Sequence, residues 1–331
     1  MLLGNHVVYG SSPEIVPTLR ISIFVRPHGR YRSSRLWSSY DKRLISLKVS
    51  LLKSDFFSAL HSLYPQEELQ SFFSLLAQHI LKMTRLETTL QAEKELTEEA
   101  VLKFSKAMDR LEKFEPIQYI IGEAEFFGLL FKVNRHTLIP RPETEALVDW
   151  IIQDSSTQHP TPGTLLDIGT GSGCIAISLA HHLTQTRISA IDISSEALEV
   201  ASENAIRNKV QVDLKRQDVL ELTTLPKQFD IIVSNPPYVR EQEKAAMQKN
   251  VLQHEPDIAL FVSDSDPLLF YRKISRLAKT GLNPGGILYF EINEYLSKEM
   301  VSLLREEGFK QIEVKQDIFG KDRMIKAFNH A

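Results

Sequence analysis

The tetrapeptide Asn235-Pro236-Pro237-Tyr238 is the stretch of this chain best suited to chemistry. Its paired prolines lack N–H donors and stiffen the backbone. A stiff loop leaves the Pro236 carbonyl free to accept and aims the Asn235 side chain outward, with an aromatic ring directly after. Two acceptors and an aromatic face suit a planar –NH2 group conjugated to a π system. The acceptors hold its hydrogens and Tyr238 stacks on its plane. Asn235, Pro236 and Tyr238 are therefore the candidate catalytic residues, and Asn235, Pro236, Pro237 and Tyr238 the candidate substrate-binding residues. The nitrogen of such a group is a weak nucleophile because its lone pair is delocalised. No side chain of the tetrapeptide is a strong base, so positioning has to supply most of the rate gain, up to roughly 7–11 kcal/mol for a near-attack geometry. The proton then leaves late, through Pro236 or water.

A second constellation lies upstream. Leu165-Leu166-Asp167-Ile168 runs into Gly169-Thr170-Gly171-Ser172-Gly173, and a helix begins at Cys174. Glycines let a backbone pass close to a ligand without a Cβ clash. Asp192 closes the next strand, where an acid can accept from ribose hydroxyls. The loop lacks the G-x-G-x-x-G spacing that sets a pyrophosphate on a helix terminus, so an adenosyl cofactor without phosphates is expected. Asp218 follows the third strand and is placed to accept from an adenine amino group, with Val219 packing on the ring. The candidate cofactor-binding residues are Gly169, Thr170, Gly171, Ser172, Gly173, Asp192, Asp218, Val219 and Asn235. Cys174 has no neighbouring base and reads as a packing residue rather than a nucleophile. The His181–His182 pair points two ways on a helix and reads as surface.

Positioning these groups needs a particular scaffold. From about residue 140 the chain alternates strand and helix, with strands expected over 164–168, 187–191, 210–215, 229–234, 286–291, 311–315 and 324–328. Helices fall between them, as over 194–208 and 297–307. This alternation predicts an α/β fold with a mainly parallel sheet covered on both faces, its ligand beyond the carboxyl ends of the strands. Upstream, residues 47–112 carry helical stripes such as Leu69, Phe72, Phe73, Leu76 and Ile80. Pro65 with Glu67 and Glu68 suits a helix first turn, and Thr97-Glu98-Glu99 opens another. This region is expected to be a helical bundle that positions the substrate. Residues 113–139, with the β-forming run Phe126–Val133, read as a hairpin linker.

Composition sets outer limits. The chain has 331 residues, 43% hydrophobic and 24% charged, the ordinary globular balance, which excludes wholesale disorder. No apolar run approaches the length of a membrane helix. A single cysteine, Cys174, excludes an intramolecular disulfide and any zinc site with more than one thiolate. No metal is expected. Residues 1–50 hold eight basic and two acidic side chains, and the remainder carries a net charge of −9. An acidic body argues against a protein that binds mainly by neutralising phosphates. Residues 1–46 lack helical periodicity, apart from one possible short strand over 21–25. They are expected to be a disordered leader or the product of an upstream start codon. Their Arg- and Ser-rich, acid-free stretch 30–39 also matches an organelle transit peptide.

The chain resembles the PrmC/HemK family of protein-(glutamine-N5) methyltransferases, which modify peptide chain release factors. The resemblance covers about residues 50–331. It rests on Pro116–Gly122, on Leu138-Ile139-Pro140-Arg141-Pro142-Glu143-Thr144-Glu145, on the glycine loop and on Ser234–Val239. Glu255-Pro256, Tyr271-Arg272, Asn283–Gly286 and Gly320–Arg323 complete it. It implies a Rossmann-like, seven-stranded class I methyltransferase domain over 140–331 behind a small N-terminal helical bundle. It also implies S-adenosyl-L-methionine as donor and, as acceptor, the glutamine of a release-factor Gly-Gly-Gln loop. A cytoplasmic monomer with no membrane and no nucleic-acid substrate is expected. Two stretches depart from the family pattern. Phe261–Pro267 replaces a glycine-containing segment, and Glu291-Ile292-Asn293 replaces Glu-Ile-Gly. Two other functions fit parts of the sequence. An adenine-N6 nucleic-acid methyltransferase would also present a planar amino group, but needs a basic groove for a flipped base. A non-catalytic cofactor-binding adapter would have no use for Asn235.

Overall fold

The computed structural model describes residues 47–157 and 163–329. The expectations for the leader 1–46 lie outside the described residues.

Four helices open the described chain: α1 (Val49–Leu60), α2 (Gln66–Leu76), α3 (Arg85–Leu90) and α4 (Glu98–Leu111). Pro65 caps α2, with Glu67 and Glu68 in its first turn. The Thr97 hydroxyl accepts from the Ala100 amide at the start of α4, at 3.2 Å. The apolar stripes of α1, α2 and α4 meet in one core around Phe56, Phe73 and Phe104. A fifth helix, α5 (Ile117–Ile121), adds Ile117 to that core and turns Tyr119 toward Val133 and Ile139.

The hairpin strands are β1 (Glu123–Phe126) and β2 (Leu129–Lys132), so the ladder begins three residues before the β-rich run. Phe127 and Gly128 both take positive φ, at +50° and +72°, as a two-residue hairpin turn of matching twist requires. Asn204 fastens this hairpin to the body. Its Oδ1 accepts from the Lys132 amide, and its Nδ2 donates to the carbonyls of Lys132 and Ser172.

The remaining chain forms α6 (Pro142–Thr157), β3 (Thr164–Ile168), α7 (Cys174–His182), β4 (Arg187–Asp192), α8 (Ser195–Arg207), β5 (Asp213–Arg216) and β6 (Phe229–Ser234). Short elements follow: β7 (Val239–Arg240), α9 (Lys249–His254), α10 (Asp257–Leu260) and β8 (Phe261–Val262). The chain closes with α11 (Leu269–Gly281), β9 (Leu282–Glu291), α12 (Ser297–Glu306), β10 (Lys310–Gln316) and β11 (Asp322–Phe328). Seven strands make one sheet in the order β10-β11-β9-β6-β3-β4-β5. The neighbours from β9 to β5 run parallel, whereas β11 pairs antiparallel with both β9 and β10. Apolar cores cover both faces, one around Leu165 and Val233, the other around Ile168 and Ile232. This is the mainly parallel α/β sheet that the alternation predicts, in the class I methyltransferase topology that the resemblance implies.

Two strands depart from their expected bounds: β9 begins at Leu282, four residues before the expected 286, and β5 is shifted toward the C-terminus. The sequence pattern places the third strand of this domain over 210–215, but β5 spans Asp213–Arg216. Val210 and Val212 pack on the core from the approach to the strand instead. Their apolar character reflects burial, not pairing.

Candidate active site

Sheet order reverses between β4 and β6 on either side of β3, and a cavity of about 320 Å³ opens beyond the carboxyl ends of these strands. Gly169 and Gly171 line it, and both have positive φ with nothing within 4 Å of an added Cβ. The Gly169 and Thr170 amides donate to the Ile191 carbonyl, at 2.9 and 3.1 Å. Asp192 then ties the two turns together. Its Oδ2 accepts from the Gly171 amide at 2.8 Å and its Oδ1 from the Ser194 amide at 2.9 Å. Burial pushes the Asp192 carboxyl up from its ordinary pKa, and these backbone donors oppose the shift. Each oxygen keeps a second lone pair for a ligand. Asp218, Val219 and Leu220 form the adjoining wall, where Asp218 Oδ1 accepts from the Leu220 amide at 2.8 Å. Ile258 and Ala259 from α10 and Phe270 and Ile274 from α11 complete an apolar side.

Asn235 stands at the border of this cavity and a smaller one of about 40 Å³, which Arg141, Tyr238 and Glu291 also line. Side chains from distant parts of the chain build the second space. The Glu291 carboxylate is fully buried and uses both oxygens. Oε1 accepts from the Tyr238 hydroxyl at 2.9 Å, and Oε2 from the Thr144 hydroxyl at 2.6 Å. Burial pushes the Glu291 carboxyl up, while these hydrogen bonds and the Arg323 guanidinium pull it down. Burial, and then the Glu291 charge, hold the Tyr238 phenol well above its ordinary pKa, so it stays protonated. Asn235 Nδ2 lies 3.4 Å from Thr144 Oγ1. Arg141 Nη2 donates to buried Glu255 at 2.6 Å, and the Ile139 amide donates to the other Glu255 oxygen at 3.2 Å. Two stretches far apart in sequence are thereby locked together beside the cleft.

The family model of the methyltransferase small domain matches residues 144–258, and that of the PrmC N-terminal domain matches residues 54–122. A release factor glutamine methyltransferase from Flavobacterium psychrophilum is 48% identical over 83% of this chain and 96% of its own length. One of the same description from Bacteroides thetaiotaomicron is 44% identical over 81% of this chain and 96% of its own length. The chain belongs to the release factor glutamine methyltransferase family. It is an enzyme, and its cofactor is S-adenosylmethionine. No helix among the described residues is long and apolar enough to cross a membrane.

The cavity fits that cofactor. Two carboxylates line it, and among the described residues neither lysine nor arginine does. Such a lining suits a cationic, phosphate-free adenosyl group and would repel a diphosphate. The backbone also passes close to the space at Gly169 and Gly171, as the glycine loop implied.

The residues singled out in the sequence fall into three groups. Gly169, Gly171, Asp192, Asp218, Val219, Asn235, Pro236 and Pro237 line the larger cavity. Tyr238 lines the smaller one, beside Asn235. Thr170, Ser172 and Gly173 line neither and shape the loop from behind. The Thr170 hydroxyl donates to buried Asp167 at 2.7 Å, the Ser172 carbonyl accepts from Asn204, and Gly173 caps α7. Cys174 is half-buried, and burial followed by the Asp167 charge raises its thiol to about 12, consistent with a packing role. His181 and His182 are exposed. Thr144 and Glu291 carried no assigned role in the sequence, nor did the lining residues His136, Leu138, Ile258 and Phe270. Thr144 lies in the Ile139–Glu145 stretch and Glu291 heads a stretch that departs from the family pattern, so their motifs were visible while their contacts were not.

Proposed function

We propose that this enzyme transfers a methyl group from S-adenosylmethionine to the side-chain amide nitrogen of the glutamine in the Gly-Gly-Gln loop of a peptide chain release factor. The observation that carries this reading is the position of Asn235 on the border of two spaces. The larger suits an adenosyl group. The smaller, about 40 Å³, suits a narrow side chain rather than a purine. The relatives' description as release factor glutamine methyltransferases supports the same acceptor.

In this reading Asp192 accepts from the ribose hydroxyls, Asp218 from the adenine amino group, and Val219 packs on the ring. Gly169 and Gly171 admit the cofactor, while Thr170, Ser172 and Gly173 hold the loop in shape. Bound S-adenosylmethionine supplies an electrophilic methyl group on a sulfonium. Asn235 Oδ1 and the Pro236 carbonyl accept the two amide hydrogens and aim the nitrogen, and Tyr238 flanks the amide plane. Pro237 keeps the loop stiff. The helical region 47–112 and the linker 113–139 position the release factor ahead of the methyltransferase domain 140–331. The enzyme works as a cytoplasmic monomer without a nucleic-acid substrate.

Incubating the purified protein with methyl-labelled cofactor and a release factor tests this reading. Peptide mass spectrometry should find one added methyl on the glutamine of the Gly-Gly-Gln peptide. Label on another residue, or on RNA or DNA offered in its place, would overturn it.

A further inference from the structure

The Asn235 side chain can face its surroundings in two ways, because amide oxygen and nitrogen exchange places by a half-turn. Only one way serves the proposed reaction. An acceptor amide donates its hydrogens, so the Asn235 oxygen must meet it. A reversed Asn235 would set –NH2 against –NH2. The loop containing Asn235 offers nothing that distinguishes the two orientations.

We infer that Thr144 and Glu291 are positioning residues that fix the Asn235 amide with its oxygen toward the acceptor. The inference rests on the reading that Asn235 holds the acceptor amide. Glu291 accepts from two hydroxyls, and one of its oxygens takes the single proton of the Thr144 hydroxyl at 2.6 Å. Thr144 Oγ1 then has only lone pairs to offer. The group it can receive from Asn235 is Nδ2, and Nδ2 lies 3.4 Å away. The Asn235 oxygen is thereby left on the other side, where no described group donates to it.

Two further contacts keep the relay from reversing. The Tyr238 hydroxyl occupies the other Glu291 oxygen at 2.9 Å, which stops the carboxylate from turning. Thr144 is buried near the start of α6, with its amide donating to the Arg141 carbonyl at 3.0 Å. Each polar group in the chain Asn235–Thr144–Glu291–Tyr238 therefore has one consistent donor-to-acceptor direction, ending on the carboxylate.

Thr144→Val keeps the shape and removes the hydroxyl. Losing one hydrogen bond of this kind should lower kcat about 10-fold, with cofactor Kd unchanged, and the buried Glu291 oxygen left without its donor should lower the melting temperature. Thr144→Ser restores the hydroxyl and should restore kcat. Release-factor methylation by the full-length chain is the assay, with Asn235→Ala run beside it. If Asn235→Ala is inactive but Thr144→Val turns over like the wild type, the orienting relay is refuted and the reading of Asn235 stands. If Asn235→Ala is itself fully active, that reading fails, and the relay with it. A kcat loss in Thr144→Val that Thr144→Ser does not recover would reduce Thr144 to a packing residue and overturn the inference.

Discussion

The two halves of the cleft are held by different means. On the cofactor side, backbone amides of neighbouring turns set the carboxylates. Gly171 and Ser194 donate to Asp192, and Leu220 donates to Asp218. On the acceptor side, side chains hold side chains across long stretches of chain: Thr144 with Glu291, Tyr238 with Glu291, and Arg141 with Glu255. A turn amide that loses its carboxylate beside an open cavity can bond to water instead. A network of buried side chains leaves an unsatisfied partner when any member is lost. The cofactor half should therefore respond to substitution by degrees, and the acceptor half more sharply.

Asn235→Ala probes the acceptor half directly and should have the largest effect. In the proposed reaction it removes the oxygen that orients the acceptor nitrogen, and misplacing a reacting group by about 1 Å costs on the order of 100-fold. Turnover should fall at least that far, while calorimetry finds cofactor affinity nearly intact. Equal losses in both would mean that the two halves are not separable. Asp192→Ala probes the cofactor half. In the proposed reading it deletes acceptors worth about 1.5–3 kcal/mol each to ribose hydroxyls, so cofactor Kd should rise at least ~10-fold. With cofactor saturating, kcat should recover. An unchanged Kd would remove Asp192 from the cofactor site.

Gly173→Ala asks how far the backbone-held half tolerates strain. Gly173 has a φ of +82°, and an added Cβ would meet Ile177 Cδ1 at 2.7 Å and Ala201 Cβ at 3.2 Å. Left-handed backbone and overpacking each cost about 1–3 kcal/mol. Melting temperature should drop by several degrees and cofactor affinity a little, with the acceptor chemistry intact. A variant as stable as the wild type would show that α7 shifts freely behind the loop.

The contrast also explains what could be read from the sequence. The glycine loop, Asp192 and Asp218 each belong to a strand followed by a turn, so local pattern alone located them. The acceptor half was legible only at Asn235–Tyr238, where four unusual residues are consecutive. Thr144 looks like an ordinary first-turn residue of α6. Glu291 ends an apolar strand, and nothing in its neighbours distinguishes a buried carboxylate from an exposed one. Only the sheet order, which sets β9 beside β6, brings it to Tyr238. Asn293, which replaces a family glycine, gains a meaning in the same way. Its Nδ2 donates to the Tyr238 carbonyl at 3.1 Å and to Glu243 at 3.0 Å. Its φ is not positive, so the position does not require glycine. The helices and five of the seven strands fell near their expected positions because periodicity reports burial, and β9 begins early, across Asn283-Pro284-Gly285. β5 moved because Val210 and Val212 are covered without being paired.

Asp167 gives the smallest expected effect on transfer and the most direct test of how the glycine loop is supported. It is fully buried behind the loop and lines neither cavity. Burial raises its carboxyl from 3.8 to about 7, against the Thr170 hydrogen bond. A folded-state pKa above the unfolded one means that the folded protein binds the proton more tightly. Its contribution to stability is therefore complete below about pH 4 and lost as pH rises to about 7. Asp167→Asn keeps an oxygen for Thr170 and removes the titration. Between pH 4 and 7 the melting temperature of the wild type should fall relative to that of the variant, while methyl transfer stays close to wild type. The Asp192 charge is one of the causes that raise the Asp167 carboxyl, so the comparison reads Asp167 together with that coupling. Parallel melting curves across that range would show that Asp167 is ionised in the folded state, and that the loop rests on a buried charge instead of a neutral acid.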